Sequence, residues 1–371
     1  MARLGSIRTA WLGLAALLAG AAPGRAAADI TFGLAAPLTG PETRIGAEMK
    51  QGMAAAIAEV NAQGGVLHQK LVLAAEDDGC DAKLAVAAAT RLVERGIRFV
   101  FGDFCSAATL PASYVYAESG TLQITAAADT SITQQGYDGL FRLAGSDDQQ
   151  GRVLADFVAE RFAGKPVALL TGRSAYGGAL AVGFRAEHAA QGQTTITIDQ
   201  PIGPGTRDFA DIIRRMKESG TEIVVFAGDP LDLARLVRQS AEAGLKLPYV
   251  SGSAVGDPQF WEAAGAGGEG TLFACPADAA SLPSARDAVE QLQAHGIAPE
   301  GLTLYGYVAV QLFAGAIDRA QSVEPEAVAA ELQKGNLATA LGEISFSESG
   351  DNAAPDWHLC RWTGGHTQYV N

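Results

Sequence analysis

Four cysteines, four methionines, four tryptophans and five histidines are spread over 371 residues. No two cysteines form C-x-x-C and no histidines form H-E-x-x-H, so the common zinc and redox spacings are excluded and no metal is expected. A phosphate-cradling P-loop is missing, and so is the G-x-S-x-G nucleophile elbow. "GAGGEG" at residues 265–270 matches G-x-G-x-x-G, but it follows a helical pattern and precedes a strand pattern, the reverse of a dinucleotide site. No histidine stands at a strand-to-helix turn, which leaves a Ser-His or Cys-His nucleophile without a base. An enzyme is therefore not expected, and no cofactor is expected. Positive charge is also scarce, with 27 Lys and Arg against 41 Asp and Glu, a formal net charge of −14. Such a chain is a poor partner for nucleic acid or an anionic membrane, and neither is expected.

Long apolar runs are confined to residues 11–22, too short for a comfortable membrane span. That run follows Arg3 and Arg8 and precedes small residues at Ala26 and Ala28. A basic start, an apolar middle and an A-x-A end make residues 1–28 a secretory leader cut after Ala28. No cysteine near the cut offers a lipid attachment point. Loss of Arg3, Arg8 and Arg25 leaves 24 basic residues against 41 acidic ones and takes the net charge to −17. In an oxidising compartment an even count of four cysteines points to disulfides, with three pairings possible.

The remaining length suits two domains of roughly 150 residues each. Short apolar runs alternate with helical patterns. "ITFGLAAPL", "KLVLAAEDD", "RFVFGDF" and "TLQIT" read as strands. The helices between them begin near Ile45, Asp81 and Ser106, with Asp81 as a cap. A second set follows: a helix over 147–162, then "VALLTG", "TTITIDQPI", "EIVVFAG" and "LPYVSG" separated by helices. The tail reads as strand "TLFACP", helices around Val289, Val308 and Val328, then "GEISF" and "DWHLCRW". Two sets of βαβ units give an α/β fold of two doubly wound parallel-sheet lobes.

In such a unit the ends of the strands before Cys80 and Cys105 are expected to be neighbours at the carboxyl edge of the sheet. A Cys80–Cys105 bond there would stabilise by about 3 kcal/mol and would support the wall of a site, because open α/β sheets bind ligands at that edge. Cys105 and Ser106 open a helix whose free N–H groups favour an anion. Serine is equally an ordinary cap. Tyr176 in "SAYGG" reads either as a cover over a ligand or as a core tyrosine. Asp129 and Asp229 end strands, and each is either a site acid or a helix cap. Asp229-Pro230 has the form of a cap followed by a first-turn proline.

The stretch from Asp77 to Ser113, "DDGCDAKLAVAAATRLVERGIRFVFGDFCSAATLPAS", together with "QQGYDGLFRLAGSDDQQG", "YGGALA", "RDFADIIRRMK", "LVRQSAEAGLK" and "GEISFSESGD", resembles the periplasmic solute-binding proteins of branched-chain amino acid and amide ABC importers. The resemblance covers essentially all of the mature chain. It implies a type I periplasmic-binding fold with three crossings between lobes, lobe 1 being 29–146 with 277–357 and lobe 2 being 147–276 with 358–371. It implies a periplasmic monomer that hands a small-molecule solute to an ABC permease, and a Cys80–Cys105 bond. The remaining pair, Cys275 and Cys360, falls at the second and third crossings and is expected to bond across the hinge.

The resemblance further implies that Ser106 binds a ligand carboxylate beside Cys105, with groups from Ala126, Ala127, Ala128 or Asp129, and that Tyr176 closes from the other lobe. Three positions depart from the leucine-type pattern. Ser253 stands where an acid meets the ligand ammonium, Asp229 where an aromatic is usual, and Ala128 or Asp129 where a threonine is usual. Ile45 also replaces a common aromatic. The frame is kept while the specificity changes. A two-lobed sensor for a signalling partner is the alternative, and a fused helix-turn-helix, kinase or membrane span would mark it.

Overall fold

A computed structural model describes residues 28–193, 195–355 and 357–370. Apart from Ala28, the expected leader lies outside the described residues, as does residue 371 at the end of the second lobe. Among the described residues no helix is long and apolar enough to cross a membrane.

The chain runs β1 (Ile30–Ala36), α1 (Thr43–Ala62), β2 (Leu71–Asp77), α2 (Ala82–Glu94), β3 (Phe99–Phe101), α3 (Ser106–Glu118), β4 (Leu122–Thr125) and β5 (Leu140–Arg142). It continues through α4 (Asp147–Arg161), β6 (Val167–Gly172), α5 (Ala175–Ala190), β7 (Ile196–Ile202), α6 (Ala210–Glu218), β8 (Ile223–Ala227), α7 (Pro230–Glu242), β9 (Tyr249–Ser251), α8 (Pro258–Ala264) and β10 (Leu272–Pro276). Then come α9 (Arg286–Ala294), α10 (Thr303–Ala320), α11 (Pro325–Gln333), the pair β11 (Leu337–Thr339) and β12 (Gly342–Ile344), and finally β13 (Trp357–Thr363) and β14 (His366–Tyr369).

Two sheets result. The first is parallel throughout, in the order β2-β1-β3-β4-β5. The second has the order β14-β13-β10-β9-β8-β6-β7 and is parallel except for β13, which is antiparallel to β10 and β14. The chain passes between the sheets three times: after β5, after β10 and before β13. The first and third passages run side by side. Asn352 Nδ2 donates to the Leu143 carbonyl at 2.9 Å, and Gln149 Nε2 donates to the Asn352 carbonyl at 2.9 Å.

Each lobe has its own core. In the first, α10 is buried on almost every face, and Phe313 packs on Phe32 and Phe99 with ring centroids 5.5 Å away in both cases. Glycine lets α1 and α10 touch backbone to backbone. A Cβ at Gly52 would collide with the Thr303 carbonyl, and one at Gly306 with the Met49 carbonyl. Asp81 caps α2 as expected, accepting from the N–H groups of Lys83 and Leu84 at 2.8 and 3.0 Å.

Both disulfides are formed, and both have a setting other than the one expected. β2 and β3 are not neighbours, because β1 lies between them. The loops that follow them instead lean over the end of β1. Asp78 N–H donates to the Ala36 carbonyl at 3.1 Å, and Gly102 packs on the Ala35 carbonyl so closely that no side chain fits. That brings Cys80 and Cys105 to a Cα separation of 5.3 Å. Cys275 and Cys360, with Cα atoms 5.8 Å apart, both lie in the second sheet. Phe273 pairs with Cys360 and Cys275 with His358, so the bond crosses the β10–β13 ladder diagonally in a buried setting. It staples one lobe internally and does not join two hinge segments.

Candidate functional site

The turns after β4, β6, β8 and β9 and the start of α3 all lie at carboxyl ends of parallel strands, the edge where open α/β sheets bind ligands. On the first lobe, Cys105 occupies the cap position of α3 and Ser106 is its first helical residue. The Ser106 hydroxyl is therefore not spent on capping, and it accepts from the Asp129 N–H at 3.2 Å. Asp129 folds its carboxylate onto Ser131, accepting from the backbone N–H at 2.9 Å and the hydroxyl at 2.6 Å.

The segment from Ala127 to Thr130 is held from beneath by Arg142, which is 0% exposed. Its Nη1 donates to the carbonyls of Ala127 and Asp129, each at 2.8 Å, and its Nε pairs with Asp351 at 2.7 Å. Five N–H donors in a rigid fork suit one side chain to this task. Ala128 contributes its carbonyl, which accepts the Asp147 N–H at 2.9 Å and ties the start of α4 to the first lobe.

Asp147 and Asp148 are adjacent in sequence but differ in chemistry. Asp148 accepts from the hydroxyls of Ser146 and Thr130 and pairs with Arg152. Burial pushes its carboxyl up, but these partners outweigh burial and hold it below the usual range. Asp147 is 7% exposed, and Gln150 Nε2 donates to it at 3.3 Å. Burial first, and then the nearby charge of Asp129, push its carboxyl up to about 7, with Arg142 opposing. Two carboxyls whose surroundings drive their pKa values apart mark a place where charge is managed.

On the second lobe, Ser174 caps α5 and places Tyr176 in its first turn. The Tyr176 hydroxyl donates to Gln150 Oε1 at 3.5 Å and accepts from the Ala254 N–H at 3.3 Å. Gln150 Oε1 also accepts from the Ser253 N–H at 2.8 Å. Burial pushes the phenol well above its ordinary pKa. Gly252 is required here, since a Cβ would strike both the Tyr176 hydroxyl and Leu180.

Of the residues singled out in the sequence, Ser106, Cys105, Ala127, Ala128 and Asp129 thus gather on one lobe, and Tyr176 and Ser253 on the other. Asp229 is exposed and caps α7, accepting from the N–H groups of Leu231 and Asp232 at 2.8 and 3.3 Å. Ile45 is half-buried against the core of the first lobe. The sequence reading passed over Asp147, Gln150 and Arg142. The signal was present in "SDDQQG", where two polar residues three apart open a helix, but burial is not visible in a sequence. Two surface hollows, of about 590 Å³ between α6 and α7 and about 390 Å³ beside Tyr137 and Glu326, contain none of this constellation.

Residues 29–367 match the family model described as periplasmic binding protein. Among known proteins, the chain is 36% identical over 341 residues to a Leu/Ile/Val-binding protein homolog of Brucella melitensis, covering 91% of this chain and 92% of that one. It is 34% identical over 343 residues to an amino acid binding protein of Pseudomonas aeruginosa, covering 91% of each. Among solved structures, it resembles an ABC transporter substrate-binding protein from Desulfitobacterium hafniense in complex with Leu, at a TM-score of 0.75 and 25% identity over 92% of this chain and all of that one. A leucine binding protein from Thermotoga maritima shares the fold at a TM-score of 0.72 and 23% identity, covering 92% of this chain and 98% of that one.

Proposed function

We propose a ligand class and a closure mechanism from one premise: the chain belongs to the periplasmic binding protein family. It is a substrate-binding receptor of an ABC importer, and its family works outside the cytoplasm. The leader is cut after Ala28 and leaves a periplasmic monomer. The lobes are 29–146 with 277–357, and 147–276 with 358–371. The cleft between them closes on a solute, and the ABC permease recognises the closed form.

The ligand is a zwitterionic amino acid or a close relative. Its carboxylate meets the Ser106 hydroxyl and the first N–H groups of α3, a setting that favours an anion. Tyr176 covers it from the other lobe. Its cationic group meets Asp147 and Asp129, which take the part of the acid that Ser253 does not supply. One observation carries this reading: a buried, raised Asp147 carboxyl stands beside Asp129 and next to the Tyr176–Gln150 pair. Two carboxylates facing a closed cleft are costly unless a cation neutralises them.

A thermal-shift panel of L-amino acids against the corresponding 2-hydroxy acids and amino-acid amides tests it, since a bound ligand stabilises by mass action. Amino acids stabilise the protein, and the hydroxy acids, which lack the cation, do not. A hydroxy acid that stabilises as strongly as its amino acid overturns the ligand class.

A further inference from the structure

Beneath the Cys80–Cys105 bond lies a buried polar cluster that the ligand, as proposed, never touches. Asp78 and Asp103 are both 0% exposed, and Tyr116 and Gln123 are buried beside them. Asp78 Oδ1 accepts from the Cys80 N–H at 2.8 Å, and Asp103 Oδ2 is reached by Gln123 Nε2 at 3.5 Å. The other two oxygens, Asp78 Oδ2 and Asp103 Oδ1, are buried without a donor. The two carboxyl groups lie within hydrogen-bond reach of each other. A single proton held between them satisfies both orphaned oxygens and removes one of two buried charges.

We propose that Asp78 and Asp103 share one proton, and that this carboxyl pair is the brace that positions Ser106 at the ligand site. Asp78 stands two residues before Cys80 and Asp103 two before Cys105, so the pair fixes the same two loops that the disulfide joins. The Asp103 carbonyl carries the brace onward. It accepts from the Thr125 hydroxyl at 2.7 Å, and that hydroxyl accepts in turn from the Ala127 N–H at 3.0 Å. It also accepts from the Thr109 hydroxyl on α3 at 3.3 Å. The chain of contacts therefore reaches both the helix that begins with Ser106 and the segment whose Asp129 N–H bonds Ser106 Oγ.

Burial, and then the charge of Asp78, push the Asp103 carboxyl well above its ordinary range. Burial also raises Asp78, against the Cys80 N–H and the Asp103 bond. The charged neighbours on the packed elements are Asp77 and Glu76 of β2, with Glu76 held by Arg91 of α2 and by Arg95 just after its end. On α3 the titratable neighbour is the Tyr116 hydroxyl, itself buried without a partner. Proton sharing does not depend on which ligand binds. The positioning role rests on the site reading above, and the experiment keeps the two apart.

Infrared spectra of the mature protein carrying ¹³C-labelled aspartate carboxyls test the proton, with Asp147→Asn as the parent protein so that the other strongly raised aspartate, at about 7, contributes no band. At neutral pH the protein shows a label-sensitive carbonyl stretch of a protonated carboxylic acid, and this band disappears in both Asp103→Asn and Asp78→Asn. Absence of such a band in the parent protein, or its persistence in both variants, overturns the proposal. Hydrogen exchange of the ligand-free protein tests the positioning. Asp103→Asn, whose amide donates in place of the shared proton, keeps the Asp129 N–H protected. Asp103→Ala exchanges it about tenfold faster while the amides of β8 are unchanged. Equal Asp129 exchange in the two variants overturns the positioning role. Asp78→Asn and Asp78→Ala provide the same comparison if an Asp103 variant fails to fold, and the parent-protein band decides the proton in every case.

Discussion

Replacing Asp147 by asparagine separates the ligand reading from the fold. In the folded protein its carboxyl is raised from 3.8 to about 7, by burial first and by the Asp129 charge second. Ionising it there costs about 4 kcal/mol more than in the unfolded chain. The sign follows from proton counting. Between the two values the folded protein holds a proton that the unfolded chain has released, so stability is greatest below the ordinary carboxylate range, falls as pH rises from about 4 to about 7, and is then level. Asparagine has no such slope. Asp147→Asn is therefore expected to be more stable than the parent protein at about pH 8 by at most about 4 kcal/mol, less the roughly 0.3–1 kcal/mol that an acid contributes in the first turn of a helix.

Binding moves in the opposite direction. A ligand cation favours the ionised form, so a proton leaves when the ligand binds below about pH 7, and affinity falls up to about tenfold for each further pH unit. Calorimetry with L-leucine, or whichever panel amino acid stabilises the protein most, at about pH 6 and about pH 8 in buffers of different ionisation heat measures both effects. Equal affinity at the two pH values without proton release refutes the reasoning, as does an Asp147→Asn variant that binds as tightly as the parent protein.

Ser106→Ala and Tyr176→Ala are each expected to weaken amino-acid binding by about 1–3 kcal/mol, through loss of a hydrogen bond to a charged group or of an aromatic cover; unchanged calorimetric affinity in both, with the fold intact, removes the site. Arg142→Leu removes the cation that pairs with Asp351 and the donor to the Ala127 and Asp129 carbonyls, and urea unfolding should show a loss of about 3 kcal/mol, the low end for a broken buried pair because Thr133 and Ser349 still donate to Asp351. The two disulfides should differ. Cysteines 85 residues apart constrain the unfolded chain more than cysteines 25 residues apart, so replacing Cys275 and Cys360 by serine costs about 4.5 kcal/mol and replacing Cys80 and Cys105 about 3.5 kcal/mol. Only the Cys80–Cys105 change should also weaken ligand binding, because Cys275–Cys360 lies inside the second sheet.

Local pattern determined much of this protein. Apolar runs alternating with amphipathic stretches placed β1 through β4 and β6 through β10 and the helices between them, because strand and helix periods are written in consecutive residues. The Asp81 cap was legible for the same reason. Asp229 was legible as a cap, since an acid followed by proline meets the first free N–H groups of a helix wherever that helix packs. Ser106 and Tyr176 could be singled out as candidates because strand-to-helix turns fall at one edge of a parallel sheet.

Tertiary structure decided the rest. β5, "LFR", ends in the charged Arg142 and forms no apolar run, and it becomes a strand by pairing with the edge of β4. The order β2-β1-β3, which carries the first disulfide over the end of an intervening strand, depends on which strands meet after the helices have packed. The diagonal bond within β10–β13 depends on the antiparallel return of a strand that lies far along the chain. Arg142, Asp147 and the Asp78–Asp103 pair read as ordinary charged residues in the sequence. Only the folded chain removes them from water, and a charge acquires an unusual pKa or an obligatory partner when its hydration is taken away.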